Sequence, residues 1–411
     1  MNKNIIIVIF GAVILCFAGF NNKFPLLTAD TGVYINSGFN RTVPFHRTAM
    51  YGLFIAHSSW GRSIWLVVFS QALILSLILF YYFRYFSQNA NYTVFYLAYL
   101  FFITFCMSAS VTASTIDPGV FASITLLCTW LLLFAKNLTR RDFVIIAITT
   151  VISSGMAVSH LLTVMLITII YGVRLLFAKR RQFLGIIETS LKRIIITGSL
   201  VFTTCLLVSV VHFSLGGGFN IINKKNLPKP PVLIKSELAS LKSYKEIAGK
   251  TASKHGVLGD IKKKPVKNFL SQMVNIKIDK YDRMDERSET LQAIYRWFNS
   301  DLRECTIARQ SLGWLTFNYL IYSQIISVVL SVLGIILFSI KKTGPNHRNL
   351  LVFIFLAILI QLFTNVIQYG KSNDMDYQII WLLPLPVFLY LSEAISIKKT
   401  ELNQLFIVRA S

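Results

Sequence analysis

The chain has 411 residues, of which 54% are hydrophobic, and a formal net charge of +23 at pH 7. A mean hydropathy of +0.60 is too apolar for a soluble domain of this length. Repeated apolar runs of about 17 residues or more indicate a polytopic helical membrane protein. A soluble protein this basic would point to nucleic acid. Here the cations bracket the apolar runs, so topology and lipid headgroups account for them, and no nucleic-acid partner is expected.

The first 16 or so apolar residues, Ile5 to Phe20, make span 1. No A-x-A-like cleavage site follows, so the span is expected to stay uncleaved. Next comes Phe24 to Ile55, a polar, turn-rich stretch between two apolar runs, with Asp30 as its only acid. The first 200 residues hold only four carboxylates, Asp30, Asp117, Asp142 and Glu188. An acid this close to a span is costly unless it is paired or used. Tyr34, Arg41, His46 and Arg47 surround Asp30 in sequence. Such a group suits an anion-handling or catalytic site; the plainer alternative is an interfacial ion pair that orients the loop.

Span 2 covers about 63–82 and ends in the aromatic, basic YYFRYF, an interfacial belt. Span 3 covers about 92–107. A polar turn with Asp117-Pro118 follows, and Pro118 at a first helical position starts span 4, to about 134. Residues 143–177 are long enough for a hairpin, spans 5 and 6, broken at Ser159-His160. Span 7 covers about 194–214 and ends at Gly216-Gly217-Gly218, a hinge-like run. Spans 8, 9 and 10 lie at about 312–340, 350–367 and 379–391.

Short basic loops at Arg84, Arg140/Arg141, Arg174 to Arg193, Lys341 to Arg348 and the tail fall on one side. The positive-inside rule makes that side cytoplasmic, with both termini. The Asp30 loop, the Asp117 turn, His160 and Asp374/Asp376 then lie outside. So do residues 219–311, which open with a proline- and lysine-rich linker. Within them, residues 285–310 place Leu291, Ile294, Tyr295, Phe298 and Leu302 on one helical stripe. The segment is expected to be a small helical cap on the outer face. Its basic surface is either simply solvated or holds an anionic lipid or substrate.

The expected fold is therefore all-α, with about ten spans. Residues 1–214 form an N-terminal transmembrane module with the first outer loop at 22–62. Residues 215–311 form the extracytoplasmic segment, and 312–411 the C-terminal module. Of the five cysteines, only Cys305 lies in a soluble segment, so no disulfide is expected there, and no Cys/His cluster suggests zinc.

There is no P-loop, G-x-G-x-x-G, H-E-x-x-H or G-x-S-x-G. What the outer face does gather is Asp30, Asp117, His160, His212 and the first-loop arginines. Two acids could share a divalent ion, Mg or Mn, or divide the roles of base and metal ligand. Arg41, Arg47 or the metal could steady a leaving phosphate. Each residue has a plainer role. Asp117 can cap a helix, His160 can be a hydrogen-bonded turn residue, His212 an interfacial histidine, and Arg62 a snorkelling anchor.

The sequence Ala29-Asp30-Thr31-Gly32-Val33-Tyr34, with Arg47-Thr48-Ala49-Met50-Tyr51-Gly52-Leu53-Phe54 entering span 2, resembles the GT-C glycosyltransferases. The resemblance covers about the first 165 residues and, beyond them, only the layout. It implies a polyprenyl-phosphate-linked sugar donor used outside a plasma membrane, such as a bacterial inner membrane. A glycan, lipid or protein would be the acceptor. It also implies a catalytic role for Asp30 and a second acid at Asp117, in Ser114-Thr115-Ile116-Asp117-Pro118. Tyr34, Arg41, His46, Arg47, Tyr51 and His160 fall to substrate binding. Many members grip the lipid phosphate with an arginine in a late outer loop; here that loop runs Lys371 to Tyr377, so only Lys371 could serve. The rival readings are a transporter or flippase for an anionic lipid or glycan, and a membrane scaffold. A transporter needs polar residues deep in its spans, and Gln71, Gln361 and Asn365 are the candidates.

Overall fold

The computed structural model describes residues 3–28, 30–45, 47–87, 91–178, 190–221, 290, 292–301, 315–340, 350, 353–361, 363–364 and 377–395. Its helices are α1 (Lys3–Leu15), α2 (Phe17–Asn22), α3 (Thr31–Asn40), α4 (Met50–Ser58), α5 (Trp65–Phe86), α6 (Tyr92–Phe105), α7 (Ala109–Ser114), α8 (Val120–Phe134), α9 (Arg140–Gly155), α10 (Val158–Ala178) and α11 (Leu191–Ser214). Further helices cover Leu315–Ile340 and Leu385–Ile395. The chain is thus all-α in character, as its composition implies. Among the described residues, three helices are long and apolar enough to cross a membrane: Trp65–Phe86, Val158–Leu175 and Leu191–Ser214. Other apolar helices, such as Lys3–Leu15 and Val120–Phe134, are shorter.

Helix α5 lies against α1, α6 and α8. Its inward positions are aliphatic and aromatic, among them Val67, Leu75, Leu79 and Phe83, and all four are fully buried. The one strongly polar residue there is Gln71, also fully buried. The break between α9 and α10 falls at residues 156–157, so Ser159 and His160, where it was expected, are already in the first turn of α10.

The stretch 24–55 departs from its turn-rich appearance, because it holds two helices, α3 and α4. They cross at glycines. A Cβ on Gly38 would stand 2.0 Å from the Gly52 carbonyl oxygen, and one on Gly52 would stand 2.8 Å from the Tyr34 carbonyl oxygen. Only hydrogen at both positions lets the backbones meet. Ahead of α3, Leu26 and Leu27 (β1) pair in parallel with Thr115 and Ile116 (β2). Pro118 precedes α8 rather than occupying its first turn. The Gly216–Gly218 run closes α11: the Gly217 N–H reaches the His212 carbonyl at 2.9 Å and the Gly216 N–H reaches that of Phe213 at 3.0 Å. With Gly216 at φ 77°, this is a Schellman cap, where the sequence suggested a hinge.

The loops sort to two ends of the bundle. At one end Thr31 meets Ile116, Thr48 meets Met156, Ala49 meets His212, and Ile64 meets Asp301. At the other, Arg84 and Tyr85 meet Asp142, Arg193 meets Leu133, and Ser87 meets Ser392.

Residues 290–301 dock at the first end. Phe39 stacks on Trp297 with centroids 4.6 Å apart, and Asp301 Oδ2 accepts the Ile64 N–H at 2.9 Å, at the start of α5. Of the expected apolar stripe, Ile294 and Phe298 are buried but Tyr295 is 55% exposed. Leu291 and Leu302, most of residues 219–311, Asp374 and Asp376 lie outside the described residues. Cys16, Cys106, Cys128 and Cys205 are free thiols, and Cys305 lies outside the described residues.

Candidate functional site

Asp30 sits at the N-cap position of α3, yet its side chain makes no capping hydrogen bond. The nearby N–H of Thr28 is taken instead by Thr31 Oγ1 at 2.8 Å. The carboxylate instead faces Arg47, whose guanidinium stands 2.6 Å away. Both side chains are partly open, at 29% and 23% exposure. The helix N-terminus adds a favourable positive potential for the anion. Arg47 also lies over the Tyr34 ring at 5.8 Å, a cation–π contact. Tyr34 in turn meets Tyr51 edge to face, centroids 5.0 Å apart.

Tyr51 is fully buried. Its hydroxyl donates to Gln71 Oε1 at 3.3 Å. Burial, and then the Asp117 carboxylate, push this phenol well above the ordinary tyrosine range, while a backbone hydrogen bond from Asp117 works the other way. The phenol is therefore a neutral donor at any physiological pH. Gln71 Nε2 donates to the carbonyls of Ala113 and Thr115, at 2.7 and 2.8 Å. One glutamine thus ties α5, α4 and the strand before Asp117 into a single unit.

Asp117 is buried, 6% exposed, and its Oδ1 accepts the Gly119 N–H at 2.8 Å. The bond closes an Asx-type turn onto Gly119, the N-cap of α8, so Asp117 shapes the entry to the helix rather than capping it. Two bonds bring its segment to that of Asp30: the β1–β2 pairing, and the Thr31 hydroxyl donating to the Ile116 carbonyl at 3.0 Å. The residues adjoining both acids are therefore hydrogen-bonded to one another.

The other expected site residues are placed differently. Arg41 terminates α3 in the left-handed conformation, φ 52°, and is exposed. It lies a full helix length from Asp30, roughly 15 Å along the axis at 1.5 Å per residue. His160 is buried at the start of α10, its Nδ1 3.4 Å from the Ser153 carbonyl, as a hydrogen-bonded turn residue would be. His46 and Lys371 lie outside the described residues. His212 is fully buried, and its Nε2 accepts the Ala49 N–H at 3.1 Å. The bonds that Gln71 and His212 make were not legible in the sequence. The only signal for Gln71 was one amide in a long apolar run, and for His212 a histidine near a helix end.

Divalent ions of the Mg or Mn kind take about six oxygen donors. Among the described residues no three His, Cys, Asp or Glu side chains converge. Asp30 Oδ2 and Asp117 Oδ1 are each already engaged. What the arrangement offers is a paired carboxylate and guanidinium at a partly open surface, backed by two buried tyrosines.

No family model, curated protein or solved structure matches the chain.

Proposed function

We propose that this chain is a GT-C-like membrane glycosyltransferase. In this reading it moves a sugar or related group from a polyprenyl-phosphate-linked donor to an acceptor hydroxyl on the outer face of the membrane. The observation that carries it is the Asp30–Arg47 pair, 2.6 Å apart, on segments bonded to that of Asp117. The finer layout, about ten spans with both termini cytoplasmic, belongs to the same proposal.

The chemistry follows from the residues. The anionic phosphate of a donor competes with Asp30 for Arg47. As the guanidinium turns to the phosphate, the carboxylate is left as a base within reach of the acceptor. Asp30 takes the acceptor's proton, the acceptor oxygen bonds to the anomeric carbon, and the bond from that carbon to the phosphate oxygen breaks. The polyprenyl phosphate leaves with its charge held by Arg47. Asp117 is the second acid, behind Tyr51. The transport rival loses one of its polar candidates, because Gln71 is fully engaged with backbone carbonyls and Tyr51.

The test is turnover of short-chain polyprenyl-phosphate sugars by purified protein in lipid nanodiscs, followed as released polyprenyl phosphate. Wild type should turn over at least one donor. Asp30→Asn keeps the shape and removes the charge, so the rate should fall on the order of 10²-fold or more. Its melting temperature should change little, since a partly exposed pair contributes about 1 kcal/mol or less. Undiminished turnover by Asp30→Asn would end the catalytic reading. A joint loss of melting temperature in Asp30→Asn and Arg47→Gln would make the pair structural.

A further inference from the structure

We infer that His212 is a positioning residue for Arg47, acting through the backbone of the short strap that carries it. The strap, Arg47-Thr48-Ala49, leads into α4 with Ala49 as its N-cap. It is held from two directions. The Thr48 hydroxyl donates to the Met156 carbonyl at 2.8 Å, in the break between α9 and α10. The Ala49 N–H donates to His212 Nε2 at 3.1 Å, across 163 positions of sequence.

The backbone that carries the imidazole is itself held. His212 is the third residue from the end of α11, and its carbonyl is the acceptor of the Schellman cap that closes the helix. The cap's middle glycine is pressed on the other side by Val43, since a Cβ at Gly217 would lie 2.7 Å from a Val43 methyl. The loop from Arg41 to Phe45 and the strap are therefore both registered against the end of α11. Because Nε2 accepts, the neutral ring carries its proton on Nδ1. The consequence is that the Cα of Arg47 is placed two residues away from a fixed acceptor, and its guanidinium then reaches Asp30 over the Tyr34 ring.

The placement of the strap by His212 stands on geometry alone. Only the description of Arg47 as the phosphate partner rests on the proposed glycosyl transfer. The experiment keeps the two apart. Hydrogen–deuterium exchange of the full chain in nanodiscs, resolved to the Ala49 amide, is compared for wild type, His212→Phe, His212→Gln and His212→Asn. Glutamine sets an oxygen where Nε2 stands; asparagine, one methylene shorter, stops short of it.

Ala49 should exchange about tenfold faster in His212→Phe and His212→Asn, the scale of one hydrogen bond, and near the wild-type rate in His212→Gln. The amides of Gly216 and Gly217 report that the α11 cap is intact in each variant. Where His212→Phe does not fold, the Gln and Asn pair decides by itself. Wild-type protection of Ala49 in His212→Asn, or equal loss in Gln and Asn, overturns the inference. Donor turnover adds a second readout: His212→Asn should raise KM more than it lowers kcat, with His212→Gln restoring both. A chain that turns over no donor ends the glycosyltransferase reading, while the Ala49 amide still decides the role of His212.

Discussion

At the residue scale, the two acids differ in how their oxygens are engaged. The Asp30 carboxylate makes no capping bond and faces a guanidinium, whereas Asp117 gives one oxygen to the Gly119 N–H. Asp117→Asn separates its two roles, because an asparagine oxygen still accepts that N–H and keeps the Asx-type turn. The melting temperature of Asp117→Asn should stay close to wild type. Turnover should fall on the order of 10²-fold when the second carboxylate takes part in proton transfer. Near-normal turnover in the same assay would leave Asp117 as a turn-forming residue only. Sequence spacing had offered Arg41 and Arg47 equally as partners of Asp30. The structure assigns the role to Arg47, because α3 carries Arg41 to its far end.

At the element scale, the crossing of α3 on α4 sets the distance between Asp30 and Arg47. The two backbones meet at Gly38 and Gly52. Gly38→Ala puts a methyl against the Gly52 carbonyl oxygen, an overpacking that costs about 1–3 kcal/mol. Thermal unfolding should therefore come several degrees lower, and turnover should drop further than stability explains, since the helices part at the ion pair. A wild-type melting temperature for Gly38→Ala would show that the helices have room to spare. Gln71 works at the same scale from the other side. It engages two carbonyls and a phenol, so its replacement by leucine strands three buried polar groups at once.

At the scale of the whole molecule, the described loops gather at two ends, with Arg84, Arg140, Arg141 and Arg193 at one of them. Accessibility labelling checks which end faces the cytoplasm. In a cysteine-free background, Trp60→Cys lies at the Asp30 end, where Trp60 is 75% exposed, and Lys136→Cys lies in an exposed turn at the basic end. A membrane-impermeant thiol reagent applied to intact cells should modify position 60 and reach 136 only after permeabilisation. The reverse pattern would invert the orientation and remove the Asp30 site from the outer face.

The sequence by itself determined the all-α, strongly apolar character, the positions of most of the described helices and the presence of a break within 143–177. Hydropathy, helical period and flanking charge are local quantities, and a run of residues carries them without reference to its neighbours in space. Only the tertiary structure decided how the site is assembled. The bond from Thr31 to Ile116 spans 85 positions and that from Ala49 to His212 spans 163. No local pattern records which buried donor will meet which acceptor over such separations. The helices inside 24–55 were hidden for a related reason. Their glycines and polar residues look like loop in isolation, and they become helix because the α3–α4 crossing buries one backbone against the other.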